Sequence, residues 1–157
     1  MGTESIPEVE VRRSVTVPLS VHRAFALFTT RMTEFWPPEH SISEAAIAEV
    51  VIEPRVGGRW YERGVDGSEC TWGRVAEWEP PVRVVLLWQI GANWQYDPDL
   101  ETEVEVTFTE ETAGRTRLEL RHRHLERYGD QADAMYAIFD SPGGWGGTLD
   151  RLAAVAS

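Results

Sequence analysis

His122 and His124 stand two residues apart in the stretch Leu118-Glu119-Leu120-Arg121-His122-Arg123-His124. Strand alternation puts Leu118, Leu120 and both histidines on one face, and Arg117, Glu119, Arg121 and Arg123 on the other. The arginine face must meet water, so the imidazoles continue an apolar face. An imidazole placed there can hold the polar head of a ligand, act as acid or base near neutral pH, or be a satisfied core histidine. His-x-His on a strand is also a zinc spacing, and Glu126 has the same parity. His22 and His40 fall in or beside early helical segments, so no third ligand is evident and no metal is expected.

The other reactive groups carry weaker signals. Cys70 lies in or just before a strand with no base beside it in sequence, which argues against a nucleophile. Gly57-Gly58 is followed by a strand, which makes it a turn or bulge rather than a phosphate cradle. Gly143-Gly144 precedes a helix, but no strand comes just before it and no lysine follows, so nucleotide binding is not expected. Asp97, Asp99, Glu101 and Glu103 read as a solvated hairpin tip; a calcium site needs more oxygen ligands at defined spacing. No cofactor is expected.

The bulk numbers narrow the classes further. The chain has 157 residues, read as one domain over 1–157, and a net charge of −11. Without a cationic stripe it cannot neutralise phosphates, and its acidity opposes an anionic membrane surface. All fifteen basic residues are arginine, which excludes lysine Schiff-base chemistry. The longest apolar run, 84–88, is far too short to cross a bilayer. Residues 1–7 have neither a basic nor an apolar leader segment, so no signal peptide is expected. One cysteine cannot form an internal disulfide, and a cytoplasmic setting is the default.

Seven tryptophans then demand a place, and five of them (Trp60, Trp72, Trp78, Trp88, Trp94) fall between Glu49 and Thr109. Wide, rigid, amphipathic side chains on a sheet suggest a lined concavity more than a plain sandwich core. The pattern predicts strands over 49–52, 58–63, 72–78, 82–90 and 103–109, separated by Pro- and Gly-rich turns. A first strand over 8–17 alternates Val9, Val11, Val15 and Val17, with Arg13 breaking the apolar face. Ser20 is the expected N-cap of a helix over 21–30 with Val21, Ala24, Phe25 and Phe28 as its stripe. A short helix near Thr33 ends at Pro37-Pro38.

A further strand covers 116–125. Asp130 is expected to cap a helical segment carrying Ala132, Met135, Tyr136 and Phe139 inward, with Asp133 favourable in its first turn. The break at 141–144 offers Ser141 as N-cap and Pro142 as first residue of a last helix bearing Trp145, Leu149 and Leu152. Antiparallel strands with helices gathered on one side make an α+β fold.

This order resembles the helix-grip fold of the START-like (SRPBCC) superfamily. More narrowly, it resembles the branch of homologues of the activator of the heat-shock chaperone ATPase. The resemblance is carried by Phe35-Trp36-Pro37, Glu53-Pro54-Arg55-Val56-Gly57-Gly58-Arg59-Trp60, Trp78-Glu79-Pro80-Pro81 and Gly143-Gly144-Trp145. It implies a curved antiparallel sheet around a long C-terminal helix, with a hydrophobic cavity between them for a small or lipid-like ligand. It does not imply one activity, because members include carriers, polyketide cyclases and co-chaperones.

Three functions follow as expectations. The first is binding of a small hydrophobic ligand by Trp36, Trp60, Leu86, Trp88, Val104, Val106, Phe108, Leu118, Leu120, His122, Met135, Phe139 and Trp145, with His122 as polar hook. The second is surface regulation of a chaperone. The third is a cyclase or aromatase with His122 or Tyr136 as acid/base. Trp94 belongs to the loop 91–99, either as a gate or as a clamp on the sheet edge, and Arg13 either meets an anionic head group in the cavity or marks a twist.

Overall fold

A computed structural model describes residues 10–157. Seven strands form one antiparallel sheet in the order β1-β7-β6-β5-β4-β3-β2: β1 (Val11–Val17), β2 (Ile47–Ile52), β3 (Arg59–Gly64), β4 (Glu69–Glu79), β5 (Arg83–Trp88), β6 (Thr102–Thr112) and β7 (Arg115–Arg123). Helices α1 (Val21–Thr30), α2 (Ala132–Asp140) and α3 (Trp145–Ala156) lie against its inner face. This is the helix-grip α+β fold, with its C-terminal helical layer split at residues 141–144. Val9, expected in the first strand, lies outside the described residues.

The sheet curls because β4 is bulged twice. Trp60 pairs with Gly73 and Tyr61 with Thr71, which leaves Trp72 as an extra residue; a second register shift falls between Val75 and Glu77. Each bulge bends its strand and raises the local twist. Gly73 sits where β4 and β5 come closest: a Cβ there would overlap the Leu87 carbonyl oxygen. The two bulky wall residues Trp72 and Trp88 therefore flank a position that only glycine can fill.

Alternation decides the two faces. Thr116, Leu118, Leu120 and His122 of β7 are buried, and so are Val104, Val106 and Phe108 of β6. Outward residues form ion pairs along the convex face: Arg121 with Glu10 at 2.9 Å, Arg123 with Glu103 at 2.7 Å, and Arg83 with Glu77 at 2.7 Å and Glu105 at 2.8 Å. Most of these side chains are half-buried, and Glu105 is buried. The apolar stripe of α1 buries Ala24, Phe25, Leu27 and Phe28, and Phe25 meets Phe108 edge-on at 5.1 Å. Ser20 caps this helix by accepting from the Arg23 amide at 3.3 Å.

Several local expectations need correction. Residues Leu125–Gln131 form a 3-10 segment, and Gln131 rather than Asp130 precedes α2, without a side-chain cap. Within α2 Met135 and Phe139 turn inward, but Tyr136 is 37% exposed. Ser141 does not start α3; its hydroxyl donates to the Ile138 carbonyl at 2.6 Å and so finishes α2. Gly144 precedes α3, and a Cβ on it would overlap the Phe139 carbonyl. The glycine lets the two helices turn against one another. Arg13 does not enter the cavity: its half-exposed guanidinium binds the carbonyl (2.8 Å) and carboxylate (2.5 Å) of Asp140. A cation at a helix C-terminus is electrostatically favourable, which accounts for the break in the apolar face of β1.

Candidate functional site

Between the β4–β5 end of the sheet and the α2–α3 junction lies a cavity of about 260 Å³. Its walls are indoles: Trp36 from the segment after α1, Trp72 from the β4 bulge, Trp88 from the end of β5 and Trp145 from the first turn of α3. Trp36 packs on Trp72 with ring centres 4.8 Å apart and meets Trp145 edge-on at 5.8 Å. Trp88 meets Trp145 at 5.9 Å and Phe139 at 5.5 Å, both nearly perpendicular. Flat, stiff rings held edge to face fill space badly, and the void is what remains.

The rim is built from loops. Residues 39–42 cover one side, with His40, Ser41 and Ile42 among the lining. They are tied down by Glu62 of β3, which is fully buried: its carboxylate accepts from the Ser41 hydroxyl (2.5 Å), the Ile42 amide (2.8 Å) and the Trp72 indole (2.9 Å). Trp36 adds an indole hydrogen bond to the His40 carbonyl at 3.2 Å. On the other side Trp94 and Ile138 flank the mouth, 40% and 42% exposed. Trp94 has a left-handed backbone, φ 61°, inside a tight turn where its amide donates to Gly91. A non-glycine residue held there costs about 1–3 kcal/mol, a strain that concentrates at functional sites.

Trp36, Trp88, Phe139 and Trp145, four of the residues singled out in the sequence, line this cavity. Leu86, Val104, Val106, Phe108, Leu118, Leu120 and Met135 lie in the filled core instead, and Trp60 backs the wall behind Trp36 and Trp72. Sequence reasoning passed over Trp72, His40, Ile42, Ile138 and Thr148 as wall residues.

His122 is not a hook on the cavity surface. It is fully buried, and both ring nitrogens are taken. The Trp145 indole can only donate, so Nδ1 accepts from it at 3.0 Å; Nε2 then carries the proton and donates to Thr102 at 2.8 Å, whose hydroxyl donates to the Trp88 carbonyl at 2.9 Å. Burial lowers its pKa to about 3, so the ring is neutral. The chain of bonds ties α3 to β7, β6 and β5 and fixes the Trp145 wall. His124 leaves the apolar face altogether. Its backbone is left-handed, φ 64°, and its ring faces Glu103 at 3.6 Å and Glu126 at 3.4 Å.

The remaining candidates fall into place as structure. Burial, and then the charge of Glu62, raise the Cys70 thiol above its ordinary range, the opposite of activation. In the acidic run Glu101 pairs with Arg74 at 2.5 Å and Glu103 with Arg123 at 2.7 Å, so it is not simply solvated. Among the described residues no three His, Cys, Asp or Glu side chains gather as a metal site, and no helix is long and apolar enough to cross a membrane.

Comparison with known proteins follows the geometry. The profile of the family described as activator of Hsp90 ATPase homolog 1-like protein matches residues 18–157. A solved structure described as an anthrahydroquino-gamma-pyrone synthase, Txn09, is 43% identical, with 96% of this chain and 99% of that one aligned and a TM-score of 0.66. The self-sacrificing resistance protein CalC from Micromonospora echinospora is 29% identical over 94% of this chain and 93% of its own, TM-score 0.70. Protein NE0264 from Nitrosomonas europaea, 15% identical over 94% of this chain and 92% of its own with a TM-score of 0.63, shares the fold. A search of curated proteins finds no match.

Proposed function

Because this chain belongs to the family of activator of Hsp90 ATPase homolog 1-like proteins, we propose that it uses the helix-grip cavity to bind a small, largely apolar, ring-containing molecule. The observation that carries the reading is the cavity of about 260 Å³ walled by Trp36, Trp72, Trp88 and Trp145. That volume of about 260 Å³ lies just below the usual range of ligand sites, about 300 to 1,000 Å³, and suits one or two fused rings. Binding is driven by apolar ligand surface leaving water, at about 25 cal/mol per Å² before the costs of association. The lone cysteine fits a reducing, cytoplasmic setting.

Titration with 2-naphthol, a neutral two-ring aromatic probe, tests it through tryptophan fluorescence. Saturable quenching that weakens in Trp36→Ala is the expected result, together with a co-purified apolar compound in native mass spectrometry. Absence of both would end the carrier reading.

A second reading, catalysis on a bound aromatic polyketide, is favoured by the 43% identity to a protein described as a synthase. On that reading the groups available to the substrate are His40 and Glu39 at the rim, since His122 is sealed and Tyr136 does not line the cavity. Positioning would then supply most of the acceleration. Surface regulation of a chaperone gains less support: among the exposed large apolar side chains Trp94 and Ile138 belong to the cavity mouth, and Val56, Val65 and Val82 sit on three different turns.

A further inference from the structure

The charges around the cavity have one sign. None of the fifteen arginines lines it, whereas Glu39 does so at the mouth. Behind the wall stands Glu62, fully buried, with three hydrogen bonds and, among the described residues, no arginine or histidine nitrogen at ion-pair distance. One of the three bonds comes from the indole nitrogen of Trp72, which lines the cavity. A carboxylate accepting from an indole N–H pushes electron density onto that ring and makes its face a better partner for a cation. Guanidinium groups stack on Tyr61 (Arg59 at 4.1 Å and Arg63 at 5.7 Å), but no described cation covers a tryptophan of the cavity.

We infer that the cavity is an aromatic cage selective for a ligand bearing a cationic amine, quaternary or tertiary, attached to its apolar rings. The inference rests on the reading that the cavity binds a small apolar molecule, and it adds the sign of the ligand's charge. An anionic ligand meets two carboxylates and no arginine, with only the N-terminus of α3 at Gly144 and Trp145 and the His40 imidazole to offset them. A neutral ligand gains only from burial. A soft, weakly hydrated cation gains from the indole faces and from the field of Glu62 and Glu39.

Three probes of one shape separate these cases: benzyltrimethylammonium, its neutral carbon isostere neopentylbenzene, and the anion phenylmethanesulfonate. Affinities are measured with the full chain by tryptophan fluorescence at about pH 8, where an ordinary imidazole is neutral. The ammonium should bind about tenfold more tightly than the neutral isostere, and the sulfonate more weakly than either. Glu62→Gln keeps acceptors for Ile42 and Trp72 and a donor for Ser41 but removes the charge, so it should shrink the cation preference while leaving neopentylbenzene affinity in place. Glu39→Gln, at the exposed mouth, gives the same direction without risk to the core. If the neutral isostere binds as tightly as the ammonium, the inference fails and the carrier reading stands. If no probe binds, both fail. An unchanged preference in both variants would overturn the assignment to these carboxylates.

Discussion

The inner face of the sheet has two ends that were built under one rule and came out different. At the β1-β7-β6 end, Leu118, Leu120, Val104, Val106 and Phe108 lie in the core with α1, and none of them lines the cavity. At the β3-β4-β5 end, Trp60, Trp72 and Trp88 meet Trp36 and Trp145 and leave about 260 Å³ open. Both ends are equally buried; they differ in the shape of the side chains. Branched aliphatic groups have rotamers enough to interlock at interior density, and indoles have large plates and few adjustments. Two buried polar anchors hold indole N–H groups of the hollow end: neutral His122 of β7 on Trp145, and the Glu62 carboxylate of β3 on Trp72. Apolar residues hide from water at both ends, phenylalanines among them at the filled one, but only the indole-walled end keeps room for something else.

The sharpest break of this comparison is Leu120→Ala in the filled end. The side chain is fully buried beside Val106 and opposite Arg13, so truncation leaves a cavity with no ligand role. Urea unfolding should show a loss of about 2–5 kcal/mol, with probe affinity within about twofold of the parent. A loss below about 1 kcal/mol would mean that this end is as loosely packed as the other.

His122→Phe comes next. The ring volume is kept, but the Trp145 and Thr102 groups lose a buried partner, for about 1–3 kcal/mol at pH 7. The pH dependence carries the sign. Folded His122 is neutral down to about pH 3, whereas an unfolded histidine protonates near 6.5. The unfolded state therefore binds the extra proton in that window, and stability falls by about 1.4 kcal/mol per unit as pH drops through it. Between about pH 5 and 6 the variant should lose this slope. Parallel curves for parent and variant would show that the imidazole titrates in the folded state and is not sealed.

What the chain made legible follows the same division. Alternation in β7 and along most of β6, with the stripe of α1, found the filled end, because periodicity largely survives there; β5 is buried on both faces. The hollow end depends on departures from periodicity. With Gly73 and Val75 facing in, strict alternation would turn Trp72 out; the bulge brings it in, and Gly73 inside the strand is the one residue type that signals it. His124 has the right parity and the wrong direction, because one left-handed residue ends the strand. Tyr136 was placed inward by helical spacing, but the 3-10 segment and the kink at Gly129 set α2 in a rotation that no repeat predicts. His40 and Ile42 belong to a segment without period, held by a single carboxylate from a distant strand.

The smallest expected effect tests the rim. If Trp94 is a gate, its indole serves the ligand and its backbone is a burden; if it is a clamp, the fold depends on it. It is 40% exposed, makes one aromatic contact, with Phe139 at 6.5 Å, and holds φ 61°. Trp94→Gly removes the ring and relieves the left-handed strain at once. Stability should change by less than about 1 kcal/mol, because the lost edge contact of about 0.5–1.5 kcal/mol and the relieved strain oppose each other. Affinity for the neutral aromatic probe should fall about three- to tenfold, with the loss in the dissociation rate, since an open mouth speeds escape more than it hinders encounter. A stability loss above about 2 kcal/mol with unchanged dissociation would make the loop a clamp, and the mouth would then belong to the filled end of the comparison.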